Sequence, residues 1–319
     1  MCAKLTLGRA ASPTSCRGGP DHHDSCWKIA MNLPLAARPV LLAVLLLALP
    51  TALPADDGGW LTRADEAFAR AARDERYLLV DVWAEWCTWC RTLQTEVFEH
   101  PDFRAFAEDL VLLRVDVEDG GEGAALQARY RVESLPTVLV LTADRVKVGA
   151  VSGFFPVADY LDKLRAEITA YENLVTALPK VLESGRSALI ERLAEDFHQR
   201  YDGRRAAQLY ARLLTSADGA EAARLHYRMA DALRLAGDFD GARRSLDQAA
   251  DLARREGDEE LLAETDFLRY YVAQDSGDCD AARRSLEGFL KQHPRSALAH
   301  DARRFLGDLR RGELAACSS

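Results

Sequence analysis

The chain has 319 residues, of which 48% are hydrophobic and 29% are charged, and its formal net charge is −9. These proportions are typical of a globular protein and argue against a disordered chain or a protein with several membrane spans. The acidic balance and the lack of a basic run exclude nucleic acid as an expected partner. A chain of this length accommodates two ordinary domains and a targeting segment.

The most apolar segment of the chain lies at residues 39–49. A helix that spans a membrane needs roughly 20 apolar residues, so this shorter run, followed by a proline, is typical of a secretory signal peptide. We expect cleavage after Ala55 and export to the periplasm or an equivalent space. An uncleaved anchor is the alternative, because Leu53 stands where the cleavage site favours a small residue. Met31 stands where such a signal peptide begins, so residues 1–55 are expected to combine an upstream extension and the signal peptide.

Four cysteines follow the expected cleavage site: Cys87, Cys90, Cys279 and Cys317. One close pair and two scattered thiols do not make a disulfide scaffold. In an exported chain they are typical of a redox site on a fold that its hydrophobic core stabilises. The roles of Cys279 and Cys317 stay open, although a small core residue is the favoured interpretation of Cys279.

Residues 56–172 alternate between helical and strand patterns and are expected to form one domain. The predicted elements are, in chain order, a helix with apolar positions Trp60, Ala64, Phe68 and Ala71, a strand at 77–83, helices at 90–98 and 101–107, a strand at 111–117, a helix at 124–130, strands at 137–141 and 146–151, and a helix at 157–169. This order predicts an α/β domain in which helices flank a mixed sheet.

The chain after residue 172 has no strand pattern, and we expect a linker at 173–185 and an all-helical domain at 186–319. Within it the segment Gly237–Leu246 returns as Gly277–Leu286, with two of ten positions different. A glycine turn followed by helical spacing is typical of stacked helical hairpins. The segment resembles tetratricopeptide repeats, although its 40-residue offset is longer than that family's. The resemblance implies a surface that binds a protein partner.

The Cys87–Cys90 pair lies between a predicted strand and a predicted helix. This placement puts the first sulfur at a helix N-terminus, where free amide groups and the helix dipole stabilise a thiolate. We therefore expect Cys87 to be the nucleophile. Cys90 lies close enough to resolve the mixed disulfide that Cys87 forms with a substrate.

The segment Asp81–Cys90 resembles the active-site segment of the thioredoxin family. Residues 97–103 are similar to the C-terminal thioredoxin-like domain of transmembrane thiol:disulfide interchange proteins. The resemblance covers about residues 60–170 and implies a thioredoxin fold, protein disulfide substrates, and a membrane thiol:disulfide interchange protein as electron donor. The dipeptide Thr88–Trp89 replaces the family's Gly-Pro, so the direction of the reaction (reduction, oxidation or isomerisation) stays open.

The same resemblance assigns roles to residues around the pair. Asp81 corresponds to the family's buried carboxylate that relays a proton for Cys90, and an ordinary polar strand end is the alternative. The segment Leu135-Pro136-Thr137 corresponds to the cis-proline loop, which binds substrate together with Trp86. The family's chemistry needs no cofactor beyond the cysteine pair. Half of a zinc site is a weaker interpretation, because no second pair follows at ligand spacing, and no metal is expected.

Two functions compete at this stage. The first is an exported thiol:disulfide oxidoreductase that reduces or isomerises protein disulfides. The second is a scaffold that binds a partner and keeps the thioredoxin fold for its shape. The combination of both cysteines with Asp81 and Pro136 favours the enzyme.

Overall fold

The computed structural model describes residues 59–312. The expected signal segment and Cys317 lie outside this range. Within it, no helix combines the length and the apolar character that crossing a membrane requires.

A five-stranded mixed sheet forms the first part of the described chain. Its strands are β1 (Trp60–Leu61), β2 (Tyr77–Trp83), β3 (Leu110–Asp116), β4 (Thr137–Leu141) and β5 (Lys147–Ser152), in the spatial order β1-β3-β2-β4-β5. Strands β1, β2 and β3 run parallel, and β4 pairs antiparallel with both β2 and β5. The predicted α/β fold with a mixed sheet is confirmed.

Five helices accompany the sheet. They are α1 (Ala64–Asp74), α2 (Thr88–Leu93, continued by a π-helical turn at Gln94–Phe98), α3 (Pro101–Ala107), α4 (Glu122–Tyr130) and α5 (Val157–Ser184). The first predicted helix wrongly included Trp60. That residue lies in β1, and its ring packs against Phe98 at 5.0 Å and stacks on Phe103 at 6.5 Å. This aromatic contact, rather than helical spacing, decides the position of Trp60.

The two faces of β2 enter different cores because side chains alternate along a strand. Leu78, Val80 and Val82 join an apolar core with α1 and α4. Leu79 joins a second core with α2, its π-helical turn and α5. By the same alternation Asp81 lies on the face of Leu79, under the helix that carries Cys90.

Helix α5 differs from the prediction at its C-terminal half. The expected linker at 173–185 is helical through Ser184, and the helix ends at Gly185 with a φ of +63°. Pro179 lies inside it without ending it. Half-buried apolar side chains in this half, including Leu174 and Leu178, pack against the second core. Their burial stabilises helix in a segment whose sequence contains a proline.

Seven helices follow: α6 (Ser187–Gln199), α7 (Gly203–Leu214), α8 (Gly219–Leu235), α9 (Phe239–Glu256), α10 (Glu259–Asp275), α11 (Cys279–Gln292) and α12 (Ala299–Arg311). Each packs against the next. We call them the helical region.

The sequence repeat corresponds to two turns between helices of the helical region, and the two turns have the same backbone geometry. Gly237 and Gly277 have φ values of +78° and +76° and follow the ends of α8 and α10. The aspartate after each glycine caps the next helix by accepting a backbone hydrogen bond at 2.8 Å. Cys279 is half-buried at the first position of α11, so its expected place in the core was wrong.

The helical region and the sheet share one core. The second core extends from Leu79 and Tyr160 to Phe197 and Tyr210. The turn after α6 also covers part of the free edge of β5, because Lys147 donates its backbone N–H to the Arg200 carbonyl at 2.7 Å and the Arg200 guanidinium donates to the Val148 carbonyl. Residues 59–312 belong to a single compact unit.

Candidate active site

Cys87 and Cys90 are joined by a disulfide, with an S–S distance of 2.08 Å and a Cα–Cα distance of 5.3 Å. Cys87 is the N-cap of α2, and its sulfur accepts a hydrogen bond from the backbone N–H of Cys90 at 3.1 Å. This amide and the positive end of the helix stabilise negative charge on the first sulfur once the disulfide is reduced. The geometry places the two sulfurs as the sequence predicted.

An apolar collar surrounds the two cysteines, which are both buried. Ala84 lies in the same cluster, and Trp83, Val117 and Leu135 pack against it. The tight turn before the pair is fixed by a hydrogen bond from the Cys87 N–H to the Ala84 carbonyl at 3.0 Å. Reactive sulfurs in a rigid apolar setting are shielded from water except where a substrate approaches.

Two tryptophans lie on the surface beside the disulfide. Trp86 is 65% exposed and Trp89 is 59% exposed, and among the described residues only Leu189 is another exposed large hydrophobic side chain. The Trp89 ring stacks on Phe154, with ring centroids 5.8 Å apart. Exposed apolar surface concentrated at one place marks a binding site for another molecule. Trp89 and Phe154 thus add apolar surface beside the disulfide, where the sequence analysis expected Trp86 to bind substrate.

The Leu135–Pro136 peptide bond is cis. Leu135 packs against the cysteine cluster, and the Pro136 carbonyl accepts a hydrogen bond from the Gly153 N–H at 2.8 Å. Thr137 is buried, and its hydroxyl bonds to the Ser134 carbonyl at 2.7 Å and the Ser152 hydroxyl at 2.9 Å. Leu135 is therefore the side chain of this loop that lies beside the disulfide, whereas the Thr137 side chain is directed into the protein.

Asp81 lies in the middle of β2 and is fully buried. One of its oxygens, Oδ2, accepts a hydrogen bond from Nε of Arg114 at 2.9 Å. Arg114 is the cross-strand neighbour on β3, and its guanidinium lies 5.1 Å from the ring centre of Trp83. Burial raises the pKa of Asp81 to about 6, although the charge and the hydrogen bond of Arg114 oppose this shift. A carboxyl group with this pKa takes up and releases a proton near neutral pH.

Arg114 and Trp89 are site residues that the sequence reasoning missed. Arg114 could have been identified from the sequence, because it is the one charged residue between Val111 and Val115 in a predicted strand. A cation in such a strand needs a partner. Trp89 was noted only as a departure from the family dipeptide. Phe154 carried no local signal. Within residues 59–312, no three side chains of His, Cys, Asp or Glu are grouped as metal ligands would be.

Comparisons with known proteins place this geometry in a family. Residues 59–143 match the family model described as thioredoxin-like. Thiol:disulfide interchange protein DsbD 2 of Pseudomonas aeruginosa is 34% identical over 76 residues, which cover 24% of this chain and 13% of that protein. The chain thus spans less than a fifth of the length of this relative.

Two solved structures are similar to about a third of the chain. A thioredoxin from Thermus thermophilus has 30% identity and a TM-score of 0.31, over 34% of this chain and 84% of the other. The C-terminal domain of Neisseria meningitidis DsbD in its oxidised form has 21% identity and a TM-score of 0.28, over 34% of this chain and 99% of the other. On the family match, residues 59–143 belong to a thioredoxin-like domain, and the predicted family is confirmed for this segment.

Proposed function

We propose that this protein, with its thioredoxin-like domain, is an exported thiol:disulfide oxidoreductase that reduces or isomerises disulfides in other proteins. One observation carries the proposal: the Cys87–Cys90 disulfide lies at a helix N-terminus, on the sheet face that also buries Asp81. The pKa of about 6 gives this carboxylate the proton affinity of a general base at neutral pH.

The reaction proceeds by two sulfur exchanges. The Cys87 thiolate of the reduced enzyme attacks one sulfur of a client disulfide, and the other client sulfur leaves as a thiolate. Cys90 then gives its proton to Asp81 and attacks the Cys87 sulfur. The Cys87–client bond breaks, the Cys87–Cys90 disulfide forms, and the client has gained two electrons.

The oxidised pair must be reduced again before the next turnover. DsbD 2 is named for thiol:disulfide interchange. The segment of this chain that matches the thioredoxin-like family model includes the cysteine pair. We take a membrane thiol:disulfide interchange protein as the electron donor. With such a donor the enzyme works as a reductase or, when Cys87 attacks a client disulfide and the client's own thiol releases it, as an isomerase.

The test uses two serine variants of the full chain. Cys90→Ser leaves Cys87 able to attack but removes the group that resolves the intermediate, so covalent complexes with clients should accumulate on non-reducing gels. Cys87→Ser is the matched control and should trap far fewer. Equal trapping by the two variants, or none by either when the wild type also fails to reduce insulin, would favour the scaffold function instead.

Export rests on the apolar segment at residues 39–49, which precedes the described residues. We expect the exported protein to begin near Asp56. N-terminal sequencing of the protein from the periplasmic fraction tests this expectation. Recovery of an intact chain in washed membranes would show an anchored protein.

The helical region is proposed to act as a tetratricopeptide-like array that binds a polypeptide partner. A groove of about 1890 Å³ lies between α4 and the helical region. Arg129 and Arg131 line one side, Glu260 and Glu264 line the other, and aromatic side chains such as Tyr227 lie between them. Charges of both signs with aromatic rings fit an extended polypeptide, whose backbone and side chains offer both donors and acceptors.

Charge reversal tests this groove. The double change Arg129→Glu and Arg131→Glu alters two exposed side chains, so folding should be unaffected. In a Cys90→Ser background we expect the reversal to lower client trapping several-fold. In a chain that keeps both cysteines, the same reversal should leave the reduction of a small disulfide unchanged. Arg303→Glu, an exposed change outside the groove, is the control. Equal trapping in both variants would remove the groove from client recognition.

A further inference from the structure

Three buried side-chain polar atoms within residues 59–312 have no hydrogen-bond partner. They are Asp81 Oδ1, Tyr160 Oη and His226 Nδ1. Burying a polar group without a partner is unfavourable, so native proteins keep few such groups. His226 lies on α8 in the helical region. Asp81 and Tyr160 lie in residues 59–184, which we call the redox domain.

Asp81 and Tyr160 lie in the same core. Asp81 is on the face of β2 that also carries Leu79, and its cross-strand neighbour on β4 is Val138. Leu79, Val138 and Tyr160 are members of one apolar cluster. Tyr160 is in the first turns of α5 and is fully buried. The two unpartnered oxygens are thus enclosed together between the sheet and α5.

The electrostatics agree with this placement. Burial, followed by the charge of Asp81, raises the pKa of Tyr160 well above its ordinary value. The hydroxyl therefore keeps its proton and can only act as a donor toward a carboxylate. Asp81 Oδ2 is already taken by Arg114, so Oδ1 is the oxygen left to receive a hydrogen bond or a proton.

We propose that Tyr160 is a positioning residue for Asp81. The Tyr160 hydroxyl donates a hydrogen bond to one bridging water, and this water donates a hydrogen bond to Asp81 Oδ1. A buried water is stable where it finds two to four polar partners, and these two oxygens supply the first two. The inference rests on the proposed function for its consequence, which is that Tyr160 orients the carboxylate that accepts the Cys90 proton.

The proton balance of the step is explicit. The Cys90 thiol gives its proton to Asp81 Oδ1, and the resulting thiolate forms a bond to the Cys87 sulfur while the Cys87–client bond breaks. The client sulfur leaves as a thiolate. A hydrogen bond to the ionised carboxylate favours its charged form and so holds the pKa of Asp81 below the value that burial and Arg114 alone would give. The groups that bear on Asp81 are Arg114 from β3, Tyr160 from α5 and the cysteine pair of α2.

The variant Tyr160→Phe removes the hydroxyl and keeps the ring, so packing is preserved. The control is Tyr171→Phe, since Tyr171 is a buried tyrosine on the same helix whose hydroxyl donates to Asp202 instead, at 3.2 Å. The first readout is the carboxyl-carbon NMR titration of Asp81 in the reduced full chain, assigned by comparison with Asp81→Asn. We expect the pKa of Asp81 to rise by about half a unit to one unit in Tyr160→Phe and to stay constant in the control.

The second readout is the pH profile of client release. It is measured by transferring a preformed Cys87 mixed disulfide of each variant to buffers of different pH and following its decay. The acid limb of this profile should move to higher pH by the same amount as the NMR pKa, while the rate of attack by Cys87 should not change. An Asp81 titration identical in Tyr160→Phe and wild type would overturn the inference. The NMR result decides this even if the wild type releases no client, an outcome that would refute the proposed function alone.

Discussion

The redox domain contains a fully buried aspartate and the helical region a half-buried one, and their surroundings shift the pKa values of the two carboxyl groups in opposite directions. Asp81 has one cationic partner, Arg114, and its second oxygen is unpartnered. Asp231 on α8 is held by Nε2 of His198 at 2.8 Å and by Arg234 at 2.7 Å. Burial raises the pKa of Asp81 to about 6. Burial also acts on Asp231, but the hydrogen bond from His198 and the charge of Arg234 lower its pKa to about 2.

The difference separates a chemical group from a structural one. A carboxylate with both oxygens paired stays ionised at every physiological pH and fixes the helices around it. A buried carboxylate with one unpaired oxygen lowers the stability of the folded state and can exchange a proton. Burial alone therefore does not decide the direction in which a carboxyl pKa shifts, because the number of donors around the group also counts.

The first prediction asks which part of the helical region folds together with the sheet. Phe197 of α6 is fully buried in the core that includes the sheet, whereas Phe289 of α11 is buried in a cluster confined to the helical region. Replacing either by alanine should cost about 3–5 kcal/mol. Hydrogen exchange should show that only Phe197→Ala lowers protection in β4, β5 and α5. Loss of protection in the sheet from both variants, or from neither, would contradict the division of the cores.

The second prediction concerns Asp81→Asn. The ionised carboxyl costs stability above its folded pKa of about 6, and this cost is absent below about pH 4, where the group is protonated in both states. A shift of about two units corresponds to about 3 kcal/mol. The asparagine cannot ionise and still accepts a bond from Arg114, so denaturation at pH 8 should show the variant more stable by up to that amount. The gain should vanish at pH 4.

The same variant separates stability from chemistry. Asp81→Asn should form mixed disulfides with clients at the wild-type rate and release them more slowly at neutral pH, because Cys90 loses its base. A variant that is more stable and also releases clients at full speed would return Asp81 to an ordinary buried residue.

The third prediction is the mirror image for Asp231. Because its folded pKa is below the unfolded value, its stabilising effect is fully present above about pH 4 and is lost as the pH falls through about 2. The shift corresponds to about 2 kcal/mol. Asp231→Asn should therefore lower stability at pH 7 by about this amount, with no change in client release. A faster or slower release in this variant would show that the helical region takes part in the chemistry.

Local sequence patterns were sufficient for most of the strands, for the cysteine pair and for the buried position of Asp81. An alternating or apolar run identifies a strand, and a charge inside one is costly enough to be informative. The partners of Asp81 were not predictable in the same way. Arg114 lies 33 positions away and meets Asp81 through the parallel register of β2 and β3. Tyr160 reaches the same core only through the packing of α5.

The linker prediction at 173–185 failed for a related reason. Pro179 locally favours the end of a helix. Apolar contacts with residues distant in the chain nevertheless stabilise the helix through Ser184. Such contacts have no period in the local sequence. The pairing of the Arg200 turn with the edge of β5 is likewise a long-range feature, and it makes the two predicted domains parts of one unit.

The smallest expected effect is that of Trp89→Ala on client binding. The exposed Trp89 ring stacks on Phe154 beside the disulfide. The loss of a contact between this ring and a client costs about 1 kcal/mol, or roughly fivefold in affinity. We expect the KM for a protein client to rise by that factor, whereas the KM for a small disulfide, which is too small to cover the ring, should stay constant. Leu189→Ala, the change of an exposed apolar residue on α6, is the control and should have no effect. An equal loss with the small disulfide would mean that Trp89 acts on the cysteine pair itself rather than on the bound polypeptide.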